Sequence, residues 1–144
     1  MFATGTGIAP FASLIRDPDT YQKFDTLVLC HTCREVAELA NSTALVANLN
    51  DDPIVGDYAH QLRHYPTTTR QDYPFMGRQT DLMASGKLFA DLGLPVISPE
   101  HDRGMICGSM DMLRDIKAAL GDYGLIEGSN NKPGTFVFER AFVD

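Results

Sequence analysis

Cationic residues are scarce in this chain: twelve Lys and Arg stand against nineteen Asp and Glu among 144 residues, a net charge of −7. They are also scattered, so a sequence-independent grip on a nucleic-acid backbone has no electrostatic footprint, which argues against nucleic acid as a partner. No apolar run approaches the roughly 18 to 20 residues that span a bilayer, and the opening MFATGTG has neither the charged nor the apolar region of an export signal. The expectation is a soluble, cytoplasmic protein with no membrane partner. Cysteine is sparse and odd in number, three in all, which excludes a secreted disulfide scaffold and favours reduced thiols. Internal repeats, low-complexity tracts and long linkers are missing too, so residues 1–144 read as one domain, and 44% hydrophobic residues suffice for a core.

What is present is an alternation of strand and helix signals. Phe2-Ala3-Thr4 reads as the end of a strand, Gly5-Thr6-Gly7 as a turn, and Ile8 to Ile15 as a short helix with Pro10 in its first turn. Thr26 to Cys30 is an unbroken apolar run, the mark of a strand covered on both faces. Glu35 to Asn48 predicts a helix ended by Asn50-Asp51-Asp52-Pro53, Leu62 to Thr68 a strand, and Thr80 to Leu92 two helical turns capped by Thr80 and interrupted at Gly86. Gly104 to Gly108 predicts a buried strand, followed by a helix capped by Ser109 with Met110, Leu113, Ile116 and Leu120 on one face. Thr135 to Phe142 predicts the last strand. Such alternation implies an α/β fold, a doubly wound, mostly parallel sheet with helices on both faces and ligands at the carboxyl ends of its strands.

Several motifs fall at those ends. Thr4-Gly5-Thr6-Gly7-Ile8-Ala9-Pro10 joins a strand to a helix, where backbone N–H groups can face a pyrophosphate, yet Pro10 replaces the third glycine of the dinucleotide fingerprint, so a plain turn fits as well. Arg34, Arg70 and Arg78 each follow a strand or sit in a loop, and forked guanidinium bonds from two or three of them would select a phosphate; scattered surface arginines are the competing reading. Cys30-His31-Thr32-Cys33 has thioredoxin-like spacing, which would give a thiol redox protein, although Cys30 lies in an apolar run and no second pair completes a metal site. Cys107-Gly108 stands at a strand-to-helix junction, so the Cys107 side chain is expected to project into the same crevice. The four histidines lack paired ligand spacing and no carboxylate pair suggests acid–base work, so no metal site is expected.

Taken together, Thr4-Gly5-Thr6-Gly7-Ile8-Ala9-Pro10-Phe11, the His31 to Leu39 stretch with Arg34, Thr69-Arg70, Gly77-Arg78, Cys107-Gly108 and Ala141-Phe142-Val143 resemble the bacterial ferredoxin (flavodoxin)–NADP reductases across essentially the whole chain. The resemblance is to their C-terminal, pyridine-nucleotide-binding half. It implies that Gly5, Thr6, Gly7 and Gly108 hold the NADP(H) backbone, and that Arg34, Arg70 and Arg78 hold its 2′-phosphate. By the same likeness Cys107 lies beside the nicotinamide without acting as a nucleophile, and Ala141, Phe142 and Val143 lie against FAD. It implies an enzyme moving hydride and electrons between NADPH and ferredoxin or flavodoxin through FAD. The family's FAD-binding barrel and part of the first strand have no counterpart here, since Arg63-His64-Tyr65-Pro66 does not match the flavin segment. The expectation is therefore an amino-truncated chain, marginally stable and inactive or weakly active alone. A non-catalytic nucleotide-binding or interaction module is the alternative.

Overall fold

A computed structural model describes residues 1–141. Five strands, β1 (Phe2–Thr4), β2 (Leu27–Cys33), β3 (Leu62–Thr68), β4 (Gly104–Gly108) and β5 (Phe136–Arg140), form one all-parallel sheet in the order β3-β2-β1-β4-β5. Between them run α1 (Ala9–Leu14), α2 (Pro18–Lys23), α3 (Ala40–Ala47), α4 (Gln79–Ala84), α5 (Lys87–Leu92) and α6 (Met110–Asp122). This is the doubly wound arrangement that the alternation predicts. The chain builds outward from β1 through β2 to β3, then crosses to β4 and β5 on the other side, so the direction of winding reverses beside β1 and opens a crevice at the carboxyl edge.

Successive strand residues face opposite layers, and both layers are apolar. Phe2, Cys30 and Ile106 pack with Leu82 and Met83 of α4, Leu88 and Phe89 of α5, and Leu113, Ile116 and Leu120 of α6. Ala3, Leu29 and Cys107 pack on the opposite face with Phe11 of α1, with Ile15 just after that helix and with Tyr21 of α2. Fully burying each large aliphatic side chain contributes roughly 1.5 to 3 kcal/mol. β1 pairs with both neighbours, Phe2 opposite Cys30 and Ile106, and Ala3 opposite His31 and Cys107.

Some boundaries differ from those expected. β2 continues through Cys33 rather than stopping at Cys30, because the polar groups of its last turn of chain are satisfied inside the fold: the hydroxyls of Thr32 and Thr67 lie 2.6 Å apart. The Cys30–Cys33 pair thus lies within a strand, not between a strand and a helix. The stretch after Arg34 splits into a 3-10 turn over Val36–Leu39 and α3. α4 starts at Gln79, so Thr80 is its second residue and Arg78 takes the extended N-cap position. Gly86, in the left-handed region with φ 75°, separates α4 from α5 as predicted. Ser109 caps α6 by accepting from the Met112 N–H at 3.4 Å, but Met110 is exposed rather than part of the apolar face. α2 is unforeseen, although Asp17-Pro18 signals it: the Asp17 carboxylate accepts from the Asp19 N–H at 3.0 Å and Pro18 occupies the first turn.

Candidate functional site

The carboxyl ends of β1, β2 and β3 and the start of α6 enclose a cleft of about 640 Å³. Its floor is the turn after β1. Gly5 adopts φ +51° with open space around the position of a Cβ, so backbone conformation and not crowding calls for glycine there. Gly7 is constrained in the opposite way: a Cβ would sit 2.2 Å from the Cys107 carbonyl oxygen. Gly108 is pressed likewise, a Cβ there falling 2.3 Å from the Thr4 hydroxyl. The glycine turn is therefore seated directly on the end of β4. Gly5 and Thr6 line the cleft, while Gly7 is buried beneath them.

One wall carries the arginines. The Arg34 N–H donates to the Glu38 carboxylate at 2.9 Å, as does the Glu35 N–H, while the Glu35 side chain accepts in return from the Glu38 backbone. The loops after β2 and β3 run side by side: the Arg70 N–H donates to the Arg34 carbonyl at 3.0 Å, and the Val36 N–H donates to the Gln71 side chain at 2.8 Å. The Glu38 carboxyl is held below its ordinary range, first by the Glu35 and Arg34 N–H groups and then by the Arg34 and Arg70 guanidiniums. Arg34 and Arg78 line the cleft and Arg70 stands beside Arg34. Among the described residues, none of the three guanidiniums donates a hydrogen bond or forms a salt bridge, whereas Arg114 on the facing wall is engaged by Asp111 and Asp115, each at 3.1 Å.

Cys107 does not project into the cleft as expected. It is 2% exposed, shares its parity with Ala3, and so faces the α1 layer, roofed by the turn at Gly7 and by Ala141, whose N–H lies 3.4 Å from the Gly108 carbonyl. Burial, then the Glu139 carboxylate across the β4–β5 register, pushes its thiol up. Phe142 and Val143 lie outside the described residues. Cys30 and Cys33 point to opposite faces of β2, all three cysteines are free, and burial pushes the Cys30 thiol up to about 11. A dithiol needs both sulfurs on one side and an accessible thiolate. The thiol redox reading has neither.

Two cleft features escape the sequence. Gln79 is 4% exposed, its amide N–H groups bonded to the Ala3 and Cys30 carbonyls at 2.9 and 3.3 Å, which clamps β1 to β2 beneath the cleft. His31 is buried with Nε2 2.9 Å from the Gly5 carbonyl oxygen. Position within strand or helix hints at neither, because both depend on partners distant in the chain. Among the described residues no group of His, Cys, Asp or Glu could hold a metal ion, and no helix is long and apolar enough to cross a membrane.

No family model matches the chain. It is 52% identical over 142 residues to the flavodoxin/ferredoxin–NADP reductase of Rhodobacter capsulatus, a match covering 98% of this chain and 53% of that protein. It is 45% identical to the ferredoxin–NADP reductase of Pseudomonas aeruginosa, covering 100% of this chain and 57% of that one. The crystal structure of a ferredoxin NADP+ reductase from Neisseria gonorrhoeae with bound FAD and NADP superposes with a TM-score of 0.84 at 32% identity, covering 99% of this chain and 55% of that one. The chain spans about half the length of the curated relatives it matches. By sequence and by fold it belongs with the flavodoxin/ferredoxin–NADP reductases, about half of whose length it represents.

Proposed function

We propose that this chain is the NADP(H)-binding part of a flavin-dependent oxidoreductase that exchanges electrons with ferredoxin or flavodoxin in the cytoplasm. The observation that carries this reading is the set of unengaged guanidiniums of Arg34, Arg70 and Arg78 at the edge that also bears the glycine turn, in a protein of net charge −7. A guanidinium fork matches the oxygens of a 2′-phosphate, which NAD lacks. Backbone N–H groups of Gly5, Thr6 and Gly7 would meet the pyrophosphate, with Gly108 allowing the turn its close seat. Cys107, which faces the α1 layer and Ala141 and not this cleft, would border the nicotinamide only beyond the glycine turn, on the side of the sheet end next to the flavin.

The cofactors supply the redox chemistry, hydride passing between nicotinamide and flavin. This chain's residues bind and orient. The Cys107 thiol stays protonated and buried, so it shapes the sheet end without attacking anything. Ala141 would lie against FAD, and the curated relatives, about twice as long, have the length for the remaining flavin contacts. A reducing cytoplasmic setting suits three free thiols.

Calorimetry with the two nucleotides tests the assignment. A hydrogen bond to a charged group contributes roughly 1.5 to 3 kcal/mol, so Arg34→Ala or Arg70→Ala is expected to weaken NADP by roughly 10- to 100-fold and leave NAD nearly unchanged. Equal losses for both nucleotides would overturn the 2′-phosphate assignment.

A further inference from the structure

His31 takes no part in lining the cleft, yet its ring joins the cleft's two halves. It stands near the carboxyl end of β2, opposite Ala3 in register and 1% exposed. Nε2 lies 2.9 Å from the Gly5 carbonyl oxygen, and Nδ1 lies 2.8 Å from the Ser42 hydroxyl in α3. A carbonyl only accepts, so Nε2 carries the hydrogen. Burial disfavours the imidazolium, so Nδ1 accepts from Ser42, whose hydroxyl also lies 3.1 Å from the Leu39 carbonyl. The Cys33 sulfur, 3.4 Å from Nε2, donates to the Glu38 carbonyl at 3.6 Å.

Gly5 has no side chain to pack, and nothing lies within 4 Å of where a Cβ would be. Its position is fixed through its peptide. His31 supplies that bond from one side, and on the other side it reaches Ser42 and the Val36–Leu39 turn, whose Glu38 carboxylate holds the Arg34 N–H at 2.9 Å. A connected set of hydrogen bonds thus runs from the glycine turn to the first arginine without crossing the cleft. We infer that His31 is a positioning residue that sets the glycine turn against the Arg34 loop, so that the two ends of the cleft are spaced for one dinucleotide; this rests on the nucleotide reading proposed above. The group does not touch substrate. Its effect appears on ligands that bridge both ends and not on ligands that occupy one.

The test uses the intact chain with His31→Ala, His31→Gln and Ser42→Ala, NADP as the bridging ligand and 2′-AMP as the one-ended ligand, with amide hydrogen exchange of residues 5–9 measured without nucleotide. Losing one buried hydrogen bond at the turn is expected to weaken NADP roughly five- to tenfold in His31→Ala, leave 2′-AMP unaltered, and speed exchange in the turn. His31→Gln, whose amide N–H replaces the Nε2 donor, restores most of both effects. Ser42→Ala shifts both in the same direction by less. Unchanged turn exchange in folded His31→Ala, or equal losses for NADP and 2′-AMP, overturns the inference. Should His31→Ala fail to fold, Ser42→Ala decides alone, faster exchange at the turn supporting the inference and unaltered exchange rejecting it. If the wild type binds neither nucleotide while the exchange effects persist, the nucleotide reading fails and the positioning role stands.

Discussion

The two ends of the cleft are built by different physics. At the glycine turn, backbone lies on backbone: Gly7 rests on the Cys107 carbonyl, Gly108 under the Thr4 hydroxyl, and His31 grips Gly5 from below. At the arginine wall the backbone is tied down, by Glu38 on Arg34 and by Arg34 on Arg70, but the guanidiniums themselves are exposed and unengaged. One end is specified by exclusion of volume and the other by guanidiniums that make no salt bridge or hydrogen bond among the described residues. Damage to the first should therefore appear as lost stability, and damage to the second as lost selectivity in a protein that still folds.

Gly7→Ala probes the packed end hardest. Its methyl would meet the Cys107 carbonyl at 2.2 Å with backbone on both sides, so relief requires β4 or the turn to move. Overpacking of this kind costs about 1 to 3 kcal/mol or more, and chemical denaturation is expected to register it together with weakened binding of NADP and NAD alike. A variant that kept wild-type stability would dissolve the contrast between the two ends.

The same packed region also predicts a pH dependence. His64 is depressed to about 4 by burial and by nearby His31, its Nε2 unpartnered, and His31 is lowered by burial. Both are neutral in the fold, while in the unfolded chain they take up protons near 6.5. The unfolded state thus binds more protons below that value, so stability is complete above about pH 6.5 and declines as pH falls toward 4. His64→Gln should make this decline shallower in melting curves taken across that window. An equal slope in the variant would remove His64 from the account.

The smallest effect belongs to the charged end. Glu38→Gln keeps an acceptor for the Arg34 and Glu35 N–H groups but removes a carboxylate that competes for Arg34 and Arg70. The charges are exposed and solvent-screened, so the effect is small, NADP binding up to roughly fivefold more tightly with NAD unaffected. A parallel gain for NAD would mean that Glu38 acts through the loop and not through charge.

Much of this was legible in the residues. β3 and β4 match their predicted limits because Leu62–Thr68 and Gly104–Gly108 are bounded by breaks in both directions. α6 begins where Ser109 offers an oxygen. Of the residues the family resemblance singles out, Gly5, Thr6, Arg34 and Arg78 line the cleft. What failed to show were satisfactions made at long range. His31 and Thr32 look unlike a strand interior until Gly5, Ser42 and Thr67 arrive from elsewhere to meet them. Position along its strand points Cys107 to the crevice, whereas the face it presents depends on register with Ala3. Gln79 gave no sign at all, since its amide joins carbonyls 76 and 49 residues away.

β1 is the seam of the sheet. Its three residues, Phe2 to Thr4, pair the β3-β2 half with the β4-β5 half, helped by Met1, which bonds to Val28 and Cys30 of β2, and the glycine turn leaves directly from its end. Loosening the turn is therefore expected to weaken the pairing between the two halves, which the apolar layer of α4, α5 and α6 also holds together. A ligand held at the turn would on that account steady the sheet as well as a loop, and stability would rise with its occupancy.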